Sequence, residues 1–165
     1  MVSRTGNILD YCSDVPLESY ESGAILLHEG ERSGRLFVLV EGDIEVLRGG
    51  TPVAAVAEPG AVFGEMSVLL DLPHTATVRA RTGVKVRAPE DAALFLRQNP
   101  ETAFHIACLL ARRLNAATTY LVDVRRQYDG QGDHLGMVGE VLEALTVQQG
   151  RAFTLEPDPT DDPRM

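Results

Sequence analysis

Short, regularly spaced runs of β-branched residues and leucine between Ala24 and Ala88 constrain the fold more than any other feature of this sequence. Glycine or proline separates each run from the next, and this spacing is typical of an all-β barrel or sandwich. The adjacent glycines in Arg48-Gly49-Gly50-Thr51 predict a tight hairpin, because a primed turn needs positive φ angles. The predicted strands are Ala24–Leu27, Leu36–Val40, Ile44–Leu47, Val53–Ala57, Thr75–Ala80 and Val84–Arg87.

Helical patterns replace the strands after Ala88. Pro89 is expected to open a short helix that ends near Asn99, and Pro100 fits the first turn of a longer helix that reaches Tyr128. Apolar residues recur in the longer helix at alternating spacings of four and three, which predicts a heptad seam packed along another helix. We expect a homodimer, although the seam could instead pack on the chain's own core. The seam residues are Ala103, Leu110, Leu114, Ala117, Leu121 and Val124.

The rest of the chain predicts one further helix and an acidic tail. Apolar residues at helical spacing run from Leu135 to Leu145, where the helix either caps the core or meets a protein partner. Residues 151–165 carry prolines among acidic side chains and have little to bury, so this tail is predicted to be disordered. The predicted organisation is one domain over residues 1–128, the additional helix within residues 129–150, and the tail.

The charge and composition disfavour several classes of partner. The chain carries 15 Lys and Arg against 24 Asp and Glu, a net charge of −9, which argues against binding to nucleic acid or to an anionic membrane. No apolar run approaches the roughly 18 residues that span a bilayer, and the first ten residues lack the apolar core of a signal peptide. We therefore expect a cytoplasmic protein in which Cys12 and Cys108 are reduced.

The sequence lacks the motifs of the enzyme classes that a small β fold suggests. Its four histidines are isolated from one another and from glutamates at ligand spacing, so the metal site of a cupin-type enzyme is not predicted. A haem group would need His74 or Cys12 as its axial ligand, and we expect none. No Gly-x-Ser-x-Gly motif marks a serine nucleophile. We assign no catalytic residue and no metal site.

The most informative stretch runs from Phe63 to Ala80. Gly64 permits a sharp turn and the close approach of a ligand, and a short helix is predicted to follow it. The first amides of a helix lack intrahelical partners and can bind an anion. Glu65, in that first turn, can accept hydrogen bonds from a ligand hydroxyl. Thr75 can offer both its amide and its hydroxyl to a phosphate oxygen.

This stretch resembles the phosphate-binding cassette of the cyclic-nucleotide-binding family, which includes the catabolite activator protein, kinase regulatory subunits and gated channels. The Phe-Gly-Glu-Met-Ser-Val-Leu-Leu opening, the proline and the closing Ala-Thr-Val-Arg-Ala are all in register, and the resemblance covers about Ser22 to Tyr128. It implies a mainly β fold with flanking helices, namely a β-roll (a double-stranded β-helix or jelly roll) with a long C-terminal helix.

The resemblance also implies a function. It indicates a solitary regulatory module, not an enzyme, that senses a cyclic mononucleotide and signals through its C-terminal helices. Cyclic AMP is expected more than cyclic GMP, and no cofactor is expected. The chain after Tyr128 is expected to be too short for the DNA-binding domain that transcription regulators of this family carry.

The resemblance assigns a role to each residue that matches the cassette. The backbone amides of Gly64, Met66 and Ser67 would bind phosphate, Glu65 would hold the ribose 2′-hydroxyl, and Thr75 would add amide and hydroxyl contacts. On the long helix, Thr118 would reach the base, unless it faces solvent. The implied ligand-binding residues are Gly64, Glu65, Met66, Ser67, His74, Thr75 and Thr118.

One of these positions departs from the family's pattern. His74 stands where the family has the arginine that pairs with the cyclic phosphate. Arginine is always charged and forks onto two oxygens, whereas an imidazole titrates near about 6.5 and offers one donor per nitrogen. The exchange is expected to weaken binding by roughly ten- to a hundredfold. The alternative is a degenerate pocket that binds no nucleotide and a domain that serves protein interaction.

Overall fold

The computed structural model describes residues 7–128, 137–141 and 143. Within these residues, eight antiparallel strands form two sheets and are accompanied by α-helices and by one 3-10 helix, Ile8–Tyr11. This architecture confirms the predicted β-roll with a long C-terminal helix. The strands are β1 Leu17–Tyr20, β2 Ile25–Leu27, β3 Phe37–Glu41, β4 Ile44–Arg48, β5 Thr51–Val56, β6 Val62–Phe63, β7 Thr77–Ala80 and β8 Val84–Arg87, and the helices are α1 Glu65–Leu70, α2 Ala92–Gln98 and α3 Pro100–Gln127.

The core lies between two four-stranded sheets with the orders β1-β8-β3-β6 and β2-β7-β4-β5. Side chains alternate along each strand, so that Val78 and Ala80 of β7 are buried while Arg79 between them is not. Both sheets contribute to one apolar cluster, which holds the cassette's flanking strands in place. Its buried members are Leu26, Leu27, Phe37, Leu39, Ile44, Phe63, Val78, Ala80, Val84, Val86 and Ala88.

The predicted strands are found, with small shifts at their ends. The strand Val84–Arg87 matches in full, and the other five match within two residues at each end. β1 was not predicted, because its sequence Leu-Glu-Ser-Tyr contains no β-branched residue and is held as a strand by pairing with β8. Nor was β6, which has only two residues.

The predicted hairpin is also confirmed. Arg48 of β4 pairs with Thr51 of β5, and the two residues between them have positive φ angles, 56° at Gly49 and 78° at Gly50. These angles suit a primed turn, whose twist matches that of the two strands. Arg48 is therefore the last residue of β4, directly before the turn.

A charged cluster links β1 to the residues that begin β3. Arg35 forms an ion pair with Glu18, whose carboxylate also accepts a hydrogen bond of 2.6 Å from the hydroxyl of Tyr20. The guanidinium lies 4.8 Å from the ring centroid of Phe37. Burial alone would raise the pKa of Glu18, but the hydrogen bonds from Tyr20 and Arg35 outweigh it and lower that pKa. The cluster thus favours the ionised carboxylate and fixes β1 beside the sheet.

The helices begin where their capping residues lie. The predicted start at Pro89 is too early for α2, because the side chain of Asp91 accepts a hydrogen bond of 3.0 Å from the amide of Leu94 and makes Asp91 the N-cap. Pro100 is the first residue of α3, as predicted, and α3 ends at Gln127. No helix among the described residues has both the length and the hydropathy needed to cross a bilayer.

The chain divides into two compact units, residues 1–108 and 109–165. The division falls within α3, and the predicted domain over residues 1–128 stays a prediction. In the second unit, residues 137–141 are helical, within the predicted helix Leu135–Leu145. Its members Leu135, Leu142 and Leu145, the segment 129–136 and the tail 151–165 lie outside the described residues.

Candidate functional site

The cassette begins with a turn that only glycine fits. Gly64 has a φ of 88° and is the N-cap of α1, and a Cβ atom at this position would collide with the carbonyl oxygen of Arg35. The hydrogen bond from the amide of Val68 to the carbonyl of Gly64 measures 3.2 Å. The amides of residues 65–67 precede it and take no part in the helix's own ladder. The backbone therefore has the geometry predicted for this turn.

The side chains of the first turn of α1 differ in exposure. The side chain of Met66 faces solvent, with 45% of its surface exposed, whereas Glu65 is 5% exposed. A buried carboxylate is rare in proteins unless a partner satisfies it. Ser67 is also buried, and its hydroxyl donates to the carbonyl of Leu72. The hydroxyl of Ser67 is thus occupied within the cassette loop. The backbone amide of Ser67 is the group that remains suited to a ligand.

The loop between β2 and β3 holds the far end of α1. Asp71, the C-cap, has a φ of 51°, and it is the single non-glycine residue with positive φ in the described part of the chain. Arg32 donates from one nitrogen to the carbonyl oxygen of Asp71 at 2.7 Å and to its carboxylate at 3.2 Å. These contacts stabilise a backbone conformation that an aspartate adopts only at a cost.

His74 is buried and is bound by the same loop. It is 4% exposed, and its Nε2 lies 2.6 Å from the Oγ of Ser33. The amide of His74 donates to the carbonyl of Glu31 at 2.9 Å, and the carbonyl of His74 accepts from the amide of Gly30 at 2.8 Å. Three hydrogen bonds therefore join His74 to the β2–β3 loop.

The protonation state of His74 follows from this environment. The Oγ of Ser33 accepts a hydrogen bond of 3.2 Å from the amide of Arg35 and pairs with Nε2 of His74, so that ring nitrogen is already engaged in either tautomer. Burial lowers the pKa of His74, and the nearby Glu31 opposes that shift. We assign a neutral imidazole at pH 7. His74 then lacks the positive charge of the arginine that it replaces.

The last predicted cassette residue, Thr75, is exposed. Its carbonyl accepts a hydrogen bond of 3.1 Å from the Nε of Arg48, and the hydroxyl of Thr77 two residues later accepts one of 3.1 Å from the amide of Glu29. The β4–β5 hairpin and the end of β2 therefore hold this side of the cassette. Among the described residues, no group of three His, Cys, Asp or Glu is placed to hold a metal ion.

The structure brings six of the seven predicted ligand-binding residues into one cassette. Arg35 connects its two ends, since its carbonyl lies against Gly64 while its amide donates to Ser33, the partner of His74. Thr118 belongs to the second unit, where it is half-buried on α3. Its contact with a base stays a prediction.

Sequence reasoning missed the residues that support the cassette from outside. Ser33 and Arg48 contact it across 41 and 27 positions of the chain. Such pairings depend on how the sheets close, and a single sequence carries no direct sign of them. The only indirect signal was the glycine turns beside them, at Gly34 and Gly49.

The comparisons with known proteins agree with this geometry. Residues 17–97 match the model of the cyclic nucleotide-binding domain family, and the match begins with β1 and ends within α2. This region belongs to that family. The domain is 36% identical over 91 residues to a cAMP-dependent protein kinase regulatory subunit of Mycosarcoma maydis, covering 53% of this chain and 16% of that protein. It is also 36% identical to a cyclic nucleotide-gated potassium channel of Mesorhizobium japonicum, covering 50% of this chain and 23% of the channel.

Solved structures share the fold of the domain. The catabolite activator protein of Thermus thermophilus aligns with a TM-score of 0.58 and 25% identity, covering 87% of this chain and 84% of that one. A cAMP-bound PfPKA-R structure aligns with a TM-score of 0.54 over 70% of this chain and 38% of that one, and its 21% identity shows the fold alone. The chain spans less than a quarter of the length of the two curated relatives named above.

Proposed function

We propose that this chain is a regulatory module that senses a cyclic mononucleotide, cyclic AMP in preference to cyclic GMP, and signals through its C-terminal helices. The observation that carries the proposal is the cassette, in which a left-handed Gly64 starts α1 and Glu65 is buried in its first turn. The names of its relatives, a cAMP-dependent kinase subunit and a cyclic nucleotide-gated channel, support this ligand class. We propose no catalytic role, and the cytoplasmic location stays a prediction.

The proposed binding mode uses the backbone for the phosphate and one carboxylate for the sugar. The amides of Gly64, Met66 and Ser67 would donate to the phosphate oxygens, because amides at the first turn of a helix lack intrahelical partners. Thr75 is exposed and would add its amide and hydroxyl. The carboxylate of Glu65 would accept a hydrogen bond from the ribose 2′-hydroxyl.

The proposed signal is a shift between two positions of the C-terminal helices. A ligand can shift such an equilibrium only by its difference in affinity for the two states. A nucleotide bound to the cassette and touched by Thr118 would favour the state in which α3 reaches the base. A protein partner at the helix predicted for Leu135–Leu145 would then detect that state.

Isothermal titration calorimetry with cyclic AMP and cyclic GMP tests the ligand. We expect binding in the micromolar to millimolar range, because a charge-assisted hydrogen bond to phosphate contributes about 1.5–3 kcal/mol and His74 does not supply one. The absence of both heat and a thermal shift at millimolar nucleotide would refute the proposal. A preference for cyclic GMP would refute its choice of base.

A second titration tests the role of Glu65. The variant Glu65→Gln and the ligand 2′-deoxy cyclic AMP each remove one side of the same proposed hydrogen bond. We expect each change alone to weaken binding by about tenfold. The two together should weaken it little further, because either change by itself already eliminates the hydrogen bond. Fully additive losses would show that Glu65 does not contact the 2′-hydroxyl.

The alternative is a degenerate domain that binds no nucleotide and acts as a protein-interaction module. The burial of His74 and its bond to Ser33 favour this alternative, because they leave the cassette without its usual cation. The variant His74→Arg separates the two functions. If the wild type binds weakly, His74→Arg should tighten binding of cyclic AMP by about tenfold or more. A variant that still gives no heat would support the degenerate domain.

We also propose that α3 forms a homodimer along the predicted seam. In the second unit, Leu114 is 39% exposed, and Leu110, Leu121 and Val124 are half-buried. Charges at two seam positions, in the variant Leu114→Arg with Leu121→Arg, should separate the protomers and halve the mass measured by light scattering. The matched variant Asn115→Arg with Thr119→Arg adds the same two charges at exposed positions outside the seam and should leave that mass unchanged. An equal mass for the wild type and the seam variant would show that the seam is not a dimer interface and would favour its packing on the chain's own core.

A further inference from the structure

Arg48, in the β4–β5 hairpin, lies against the cassette next to His74, the position at which the family has an arginine. The Nε of Arg48 donates to the carbonyl of Thr75, the residue after His74, over 3.1 Å. We propose that Arg48 supplies the cation that pairs with the ligand's phosphate in this domain. The inference rests on the proposed function and names a further residue for the same site.

The first argument is that His74 cannot supply this charge. Its Nε2 is engaged by the hydroxyl of Ser33 at 2.6 Å, and its side chain is buried. Burial favours the neutral form of an imidazole, and the contact with Ser33 occupies Nε2 in either tautomer. The neutral His74 therefore fixes the β2–β3 loop, and a cyclic phosphate bound at the cassette needs a cation from another segment.

The second argument is that Arg48 is available. Arg32, Arg35 and Arg79 each form an ion pair with a carboxylate, whereas no carboxylate of the described residues pairs with Arg48. The nearby Glu29 accepts a hydrogen bond of 2.9 Å from the amide of Gly49. The side chain of Arg48 is exposed, and its hydrogen bond to Thr75 uses only Nε. Its two terminal nitrogens can therefore fork onto the oxygens of a phosphate.

The third argument is proximity. Covalent geometry keeps the carbonyl oxygen of a residue within about 4 Å of its own amide nitrogen. Because Nε of Arg48 lies 3.1 Å from the Thr75 carbonyl oxygen, it lies within about 7 Å of the Thr75 amide that is proposed to bind phosphate, and one phosphate group can bridge that distance. The bond to Thr75 also holds the guanidinium in place before the ligand arrives, which reduces the entropy lost on binding.

The test compares Arg48→Gln with a matched variant, using cyclic AMP and adenosine as ligands in calorimetry or in competition. Adenosine shares the base and the ribose with cyclic AMP but carries no phosphate. Arg81→Gln removes the same charge from an exposed arginine that follows β7, at the opposite end of that strand from Thr75. We expect Arg48→Gln to weaken binding of cyclic AMP by about ten- to a hundredfold and to leave adenosine unchanged, with Arg81→Gln affecting neither.

Two outcomes would overturn the inference while leaving the proposed function intact. Unchanged affinity of Arg48→Gln for cyclic AMP shows that Arg48 makes no phosphate contact. Equal losses for cyclic AMP and adenosine show that Arg48 only holds the hairpin against the cassette. Arg48→Lys adds a readout that does not need adenosine: it keeps the charge but loses the fork onto two oxygens, so it should recover only part of the affinity for cyclic AMP that Arg48→Gln loses. A wild type that binds no cyclic AMP refutes the proposed function, and the role of Arg48 with it.

Discussion

Replacing Gly64 by alanine should destabilise the domain more than the same replacement at a glycine with the same φ angle. The φ of 88° at Gly64 costs an alanine about 1–3 kcal/mol in the free energy of unfolding. Its Cβ would also overlap the carbonyl oxygen of Arg35 and lie 3.2 Å from Cδ1 of Leu27, which adds roughly 1–3 kcal/mol because a backbone atom yields little. The total loss is about 2–6 kcal/mol.

Gly23 provides the control. It has the same φ of 88°, but a Cβ there would meet no atom within 4 Å, so Gly23→Ala carries the conformational cost without the collision. Urea unfolding of both variants and the wild type, followed by circular dichroism, measures the difference, which we expect to be about 1–3 kcal/mol. Equal stabilities of Gly64→Ala and Gly23→Ala would refute the collision with Arg35.

Three further predictions concern charge and burial. Burial lowers the pKa of His74 in the folded protein, so as the pH falls below about 6.5 the imidazole is protonated in the unfolded chain before it is protonated in the folded one. The free energy of unfolding should therefore fall there, by at most about 1.4 kcal/mol per pH unit. His74→Gln should reduce that slope between pH 7.5 and 5.5, and an unchanged slope would assign it to other groups. Burial also raises the pKa of Cys12, so a thiol reagent should label Cys108 first in the folded protein, and equal rates would contradict the burial of Cys12. Arg35→Gln removes the ion pair with Glu18 and should cost about 0.5–1.5 kcal/mol in urea unfolding, whereas no loss would show that the pair is fully screened.

The strands could be predicted from the sequence where local chemistry decides them. The glycines of the β4–β5 turn and the β-branched residues of β8 specify their structure without help from distant residues. By contrast, Leu17–Tyr20 becomes a strand because it pairs with β8, which lies far along the chain. Tertiary pairing outweighs local propensity in that case.

The candidate site divides in the same way. The turn at Gly64 and the helix after it follow from residues that are neighbours in sequence, and they were predicted. The burial of His74 and its bond to Ser33 were not, because they depend on the closure of the β2–β3 loop over the cassette. The contact of Arg48 with Thr75 likewise exists only once the two sheets have formed.

The hydrogen bonds from Ser33 and Arg48 have a consequence for folding. A peptide containing only residues 63–80 would lack both partners, so we expect the cassette to need contacts from distant segments of the folded domain. Any ligand that recognises the finished cassette then binds the folded chain alone. A nucleotide at a hundred times its dissociation constant would add about 2.7 kcal/mol to the stability of the whole domain. In this chain, ligand concentration would therefore control how long the folded protein survives as well as what it signals.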